Sequence, residues 1–394
     1  MGWWRRSSGR RAARTAEPVV FVVELLELFE NVVPVVNALS ALAIPVRVVV
    51  TPERDVMLRH SADGEWYDQA RATVVWTWLT EHGFMPEPLV PPNEAGAQVG
   101  QGAPRAVFLS SPYRTQRHES LSPEALSLPI HYLDYGFHVD PEDASGWRFS
   151  DEFFKNCAAI YVANDYEAGQ FRAGGVPSRV IVPSGSPALD HWDQFSGRAA
   201  VPTVMWCPWW STSGKTDGSI GYSTFLESVD PMLLEMAARP EVQFIFRPHP
   251  LMLGQLVADG DWTTADLARF EARLEALANV ENARSDIASS HVPQFERAWA
   301  MITDGVSFLA EFGYTGKPLL LTETPGNPGW NPVGQVIRSV VETSPGPARI
   351  PDFLDRVVAD VDPTADRRRQ VIRSQYIRPP GGSGVAIARH LASV

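Results

Sequence analysis

Short apolar runs, most of them rich in valine, alternate along the chain with longer stretches whose apolar positions return every three or four residues. The first pattern predicts buried strands and the second predicts helices packed on them. "VVFVVEL" (19–25) opens the series, and "ENVVPVVNALSAL" (30–42) reads as the helix after it. "PVRVVVTP" (45–52) is the next strand, closed by proline. "ATVVWTWLTEHG" (72–83) and "AVFLSSPY" (106–113) continue the alternation, separated by a Pro/Gly-rich stretch, "MPEPLVPPNEAGAQVGQGAP", read as a loop. "LPIHYLDYGF" (128–137), "CAAIYVAND" (157–165) and "SRVIVPSGSPALDHW" (178–192) complete a first set.

A second set starts at "TVMWCPWW" (203–210). It runs through "VQFIFRPHP", the helical "TTADLARFEARLEALAN", "WAMITDG" (299–305) and "PLLLTET" (318–324). Alternation of this kind implies parallel sheets covered by helices. The expected fold is α/β, with two Rossmann-like parallel-sheet domains facing a cleft. A basic tail (1–17), an amino-terminal domain (18–197), a carboxyl-terminal nucleotide-donor domain (198–378) and a terminal helix (379–394) that can pack back on the first domain are expected. The boundary falls within "FSGRAAVP" (195–202), and "GGSG" (381–384) reads as the turn before the terminal helix.

Composition narrows the function classes. At 394 residues, 44% apolar and 20% charged, the chain can bury two ordinary cores. A net charge of −12 argues against nucleic acid as a partner. Two distant cysteines, Cys157 and Cys207, suggest a reducing compartment and no structural zinc site. No apolar run reaches 18 residues; the best, "PVVFVVELLELF", is broken by Glu24 and Glu27. A cytoplasmic location is expected. The tail "MGWWRRSSGRRAAR" reads as a flexible extension or as an anchor on an anionic membrane, where each cation adds about 1 kcal/mol.

Ligands of open parallel sheets bind where the strands end. At one such end, "FIFRPHP" (244–250) runs an apolar strand into Arg247 and His249, each followed by a proline that restricts it. At another, "ITDGVSFLAEFGYTGKP" (302–318) predicts a helix capped by Asp304 that begins near Gly305, with Val306 and Ser307 in its first turn and Gly316 closing it. A helix amino terminus with a hydroxyl beside it suits a phosphate, and Arg247 and His249 would add donors. An ordinary capped helix and a strand-end ion pair would leave the same traces. Trp209, just after a strand, could stack on a base or sugar or simply be buried.

These motifs resemble the carboxyl-terminal half of the CDP-glycerol glycerophosphotransferase family, teichoic-acid-type polymerases and primases of GT-B fold. His249 and Pro250 match that family's Arg/Lys-x-His-Pro strand end. Thr303, Asp304, Ser307 and "TGKP" (315–318) match its helix start and end, while Gly305 and Val306 depart from a Tyr-Ser pair. Gly185, Pro187 and Asp190 match its Gly-x-Pro-Arg-x-Asp turn, and "VMWCPWWS" is similar to its Tyr-Ala-Pro-Thr-Trp element. The resemblance implies attack of an acceptor hydroxyl on the β-phosphorus of CDP-glycerol with loss of CMP, His249, Ser307 and the 305–307 amides holding phosphate, and no cofactor. The implied acceptor is a cell-surface glycan or its lipid-linked precursor.

The family's general base is a His in a Trp-His-Gly-Thr turn. In "HYLDYGFHVD" Tyr135 stands in that place before Gly136, with His131, Asp134 and His138 nearby; Asp134 or His138 is the expected base. The departure favours a second reading, a nucleotide-sugar donor used for glycosyl transfer or hydrolysing-type epimerisation. A third is a nucleotide-sensing protein without turnover. "TSGKTDG" (212–218) fails as a P-loop, because Trp209 occupies the leading glycine position. "DGD" (259–261) and "DVD" (360–362) read as solvated turns rather than metal sites.

Overall fold

The computed structural model describes residues 17–24, 29, 31–52, 68–109, 118–134, 136–141, 149–211, 221–283 and 290–394. The arginine-rich tail, Tyr135 and "TSGKTDG" lie outside these residues. Twelve parallel strands form two six-stranded sheets. The first holds β1 (Val19–Val23), β2 (Val46–Val50), β3 (Ala106–Leu109), β4 (Ile130–Leu133), β5 (Ala159–Val162) and β6 (Ile181–Pro183), ordered 2-1-3-4-5-6. The second holds β7 (Thr203–Cys207), β8 (Gln243–Phe246), β9 (Val280–Asn282), β10 (Ala300–Thr303), β11 (Leu319–Glu323) and β12 (Glu342–Pro345), ordered 12-11-10-7-8-9.

The valine runs make strands because both faces of each central strand are covered, where β-branched side chains pack well. All five residues of β1 are buried, and Phe21 lies between Val48 and Phe108 with the Phe21 and Phe108 rings stacked at 4.7 Å. In β7, Trp206 sits between Phe246 and Ile302. The two-domain α/β expectation is met at the level of the sheets.

One segment differs from the sequence reading. The Pro-rich "loop" contains a helix, Pro92–Gly100, entered through a proline in its first turn, a position that needs no backbone donor. The 72–83 stretch, to which the alternation assigns no type, is helical through Glu81 within Gln69–Glu81, whose start is capped by Asp68 accepting from the Arg71 amide at 2.8 Å.

The chain returns to the first sheet at its end. The Ser383–Ser393 helix packs on the Val33–Ala41 helix and buries Ile387, Ala388 and Leu391 in the core of that sheet. Asp190 accepts from the Ser383 and Gly384 amides at 2.8 Å each, capping the helix. A Cβ at Gly185, whose φ is +74°, would lie 2.3 Å from the Ile377 carbonyl oxygen. The Gly185–Asp190 turn therefore clasps the returning chain. Among the described residues, no helix is long and apolar enough to cross a membrane.

Candidate active site

The strand order of the second sheet reverses between β7 and β10, which makes their carboxyl ends the switch point where a crevice opens. Three side chains tie that point together. Thr303 at the end of β10 donates its hydroxyl to the Cys207 carbonyl at 2.7 Å and accepts from the Gly305 amide at 2.9 Å. Asp304 accepts from the Trp209 amide at 2.5 Å through one oxygen, and from the Thr224 amide and hydroxyl through the other. Thr224 in turn meets the Thr322 hydroxyl at 2.8 Å. Burial raises the Asp304 carboxyl to about 6 against the pull of those donors.

This corrects the expected cap. Asp304 is spent on the loop after β7, and the Val306–Thr315 helix starts at Gly305 with no side-chain cap. With the Gly305 amide held by Thr303, the amides of Val306 and Ser307 head the helix. A Cβ at Gly305 would lie 3.1 Å from Thr303 Oγ1 and 3.4 Å from Trp209, so a larger residue would crowd the approach. Val306 is buried and Ser307 half-buried. At the far end, Gly316 closes the helix in the left-handed conformation. Lys317 donates to the carbonyls of Phe295, Glu296 and Ala298, and burial lowers its pKa to about 8. "TGKP" is scaffolding.

His249 lies beside this helix start. Its amide donates to the Pro208 carbonyl at 2.9 Å and its ring meets Trp209 edge-on at 4.7 Å, with Trp210 at 6.1 Å. The Leu251 amide donates to Nδ1 at 3.2 Å, so the ring proton sits on Nε2. Desolvation keeps the ring neutral by lowering its pKa, although part of the residue still meets solvent. Arg247 is committed to the fold. It is buried and donates to Gln294 at 2.7 Å, on the Val292–Arg297 helix.

The loop after β4 approaches from the first sheet. Asp134 accepts from the Gly136 amide at 3.1 Å and from His138 Nε2 at 2.6 Å; His138 is buried against the edge of Phe149. A Cβ at Gly136 would stand 3.8 Å from Ser307 Oγ, so this loop meets the helix start directly. Asn331 fixes the meeting. Its side chain donates to the His138 carbonyl at 2.7 Å and accepts from the Gly334 amide, while its own amide donates to the Val139 carbonyl at 3.0 Å. His131 is elsewhere, bonded to Tyr161 at 3.0 Å.

No family model matches the chain, and no curated protein matches it either. Solved structures do. The wall teichoic acid polymerase TagF is 12% identical with a TM-score of 0.59, over 96% of this chain and 89% of that one. The UDP-GlcNAc 2-epimerase from Neisseria meningitidis, solved with UDP-GlcNAc, is 12% identical with a TM-score of 0.55, over 96% and 98%. The S. aureus MnaA structure with UDP is 12% identical with a TM-score of 0.57, over 95% of each chain. The fold is GT-B. At this identity the likeness is one of fold.

Within the GT-B frame the structure gathers Asp134, His138, Trp209, His249, Gly305, Val306 and Ser307 around the meeting of the two strand-end regions. Asp304 and Arg247 stand behind it. Sequence reasoning missed Thr224, Asn331 and Glu24, the last buried at the end of β1 beside the first sheet's own switch point. "NP" at 331–332 was a readable helix-start signal. Thr224 and Glu24 carried none.

Proposed function

We infer that this GT-B chain is a transferase whose donor is a nucleotide-activated compound held by its diphosphate at the end of the second sheet. The donor we favour is a CDP-alditol such as CDP-glycerol. One observation carries the reading: the uncapped helix start at Val306 and Ser307, flanked by the His249 Nε2–H, stands opposite a loop bearing a carboxylate–histidine pair. Amides and a neutral imidazole donor suit phosphate oxygens whose charge rises during transfer. Trp209 offers a face for the base or ribose.

The half-buried Asp134 takes the acceptor hydroxyl's proton as that oxygen bonds to the β-phosphorus. The bond from phosphorus to the CMP oxygen breaks, and CMP leaves with the electron pair. His138, buried behind, orients Asp134 through their 2.6 Å contact. The acceptor would be a glycan or lipid-linked precursor.

A second reading keeps the site and changes the donor to a UDP-sugar. Tyr135 in place of the resembled family's histidine favours it, as do the UDP and UDP-GlcNAc held by two of the similar structures. A thermal-shift panel of CMP, CDP, CDP-glycerol, UDP and UDP-GlcNAc on wild type and His249→Ala separates the two. A ligand at 100 times its Kd stabilises by about 2.7 kcal/mol. Cytidine-only stabilisation, lost in the variant, supports the alditol-phosphate transferase. A uridine preference replaces it with the sugar reading, and silence from every nucleotide overturns both.

A further inference from the structure

The two chain crossings between the halves run side by side. One passes through the Asp190–Gln194 helix. The other passes through the Ala365–Arg373 helix and continues to Ile377, whose amide bonds the Ala163 carbonyl of the first half. An open cavity of about 420 Å³ lies on the second crossing, lined by Arg369, Arg373, Arg378, Gln370, Ser374, Tyr376 and the carboxylate of Asp366. On a molecule of net charge −12, three guanidinium groups around one hollow form an unusual concentration of positive charge.

The nearby carboxylates do not match these cations. Asp193 accepts from Arg378 at 2.9 Å and from the Tyr314 hydroxyl at 2.9 Å, and it stands 3.5 Å from Arg373. Arg373 also donates to the Trp192 and Tyr314 carbonyls, so it is fixed in place by the fold. Arg369 is different. Among the described residues its ion pair is with the fully exposed Asp366, at 3.8 Å, outside hydrogen-bonding reach. Burial lowers the Arg373 pKa; Tyr314 and Asp193 pull it back up, and Arg378 and Arg369 press it down.

We propose that the cavity between Arg369, Arg373 and Arg378 is an anion site, separate from the strand-end cleft, that takes a small phosphate or diphosphate anion. A hollow with guanidinium groups in its lining fits a compact tetrahedral anion better than a flat membrane face would. Guanidinium forks suit phosphate oxygens, and Arg369 has its donors to give. Gln370 in the lining supplies a neutral amide donor.

The test is titration calorimetry with inorganic pyrophosphate at low ionic strength. Four proteins are compared: wild type, Arg369→Gln, the pair Arg369→Gln/Arg378→Gln, and His249→Ala/Ser307→Ala, which strips the cleft. Among the described residues Arg369 makes no tertiary hydrogen bond, so Arg369→Gln spares the fold. The expected result is two binding events in wild type: one is lost in the cleft variant, while the other survives there, weakens about tenfold in Arg369→Gln and disappears in the double arginine variant. The proposal is overturned if wild type takes up no pyrophosphate, if the cleft variant abolishes all binding, or if Arg369→Gln leaves the affinity unchanged.

Discussion

Asp304 shows how one residue can be read correctly as important and wrongly as to its task. Its carboxylate serves three donors, two of them backbone amides that would otherwise be buried without partners. Asp304→Ala should therefore cost about 2–4 kcal/mol, the size expected for stranding buried donors. Urea unfolding checks this; a loss below about 1 kcal/mol would mean the loop after β7 holds itself. Asp134 and His138 separate by function instead. Asp134→Asn should lower kcat by about 10²–10⁴ with little change in donor KM, the range for a lost general base. His138→Gln should reduce kcat less than Asp134→Asn, because His138 orients the carboxylate without touching the acceptor. Equal losses in both variants would assign both residues to structure alone.

At the scale of elements, the terminal helix carries the clearest pH signature. Tyr161 on β5 bridges His131 on β4 and His390 on the Ser383–Ser393 helix, with 3.0 Å on each side. Burial, then the neighbouring His390, lowers the His131 pKa to about 4 from 6.5. In the window between those values the unfolded chain binds the proton and the folded one does not, so stability falls as pH drops from 6.5 towards 4. Removing the ring in His131→Phe should flatten the slope between pH 7 and pH 5 by about 2 kcal/mol, measured by urea unfolding at both pH values. Glu167, raised to about 8 by burial and then Asp134, pulls the other way between 4.5 and 8, but it does so equally in both proteins. An unchanged slope would place the titration elsewhere.

Elements also mark where the sequence was legible. The valine run named β1 because a strand covered on both faces needs nothing but apolar side chains. The Pro92–Gly100 helix stayed hidden because proline signals both a loop and a helix start, and only packing decides. The helix start at Gly305 was read from Asp304 as its cap; that Asp304 does not cap it could not be seen, since its partners lie 80 and 95 positions away in the chain.

The whole molecule depends on how the halves meet. One core cluster joins Phe137, Val139, Ala163 and Trp192 of the first half to Phe312, Trp330 and Ile337 of the second, so the halves share buried apolar surface rather than a wet seam. Within that seam Asn331 is the polar reader of the 138–139 backbone. Asn331→Ala removes a helix cap worth about 0.5–2 kcal/mol and leaves the His138 carbonyl short of a donor, worth about 1–3 kcal/mol more. Because the damage lies between the halves and not inside either sheet, its mark should be local. Amide exchange across 136–139 should speed by about tenfold or more, while β1 and β7, central to their sheets, keep their protection. If instead exchange quickened in both sheets together, the halves would open as one cooperative unit, and the loop carrying Asp134 would owe its position to the whole fold rather than to Asn331.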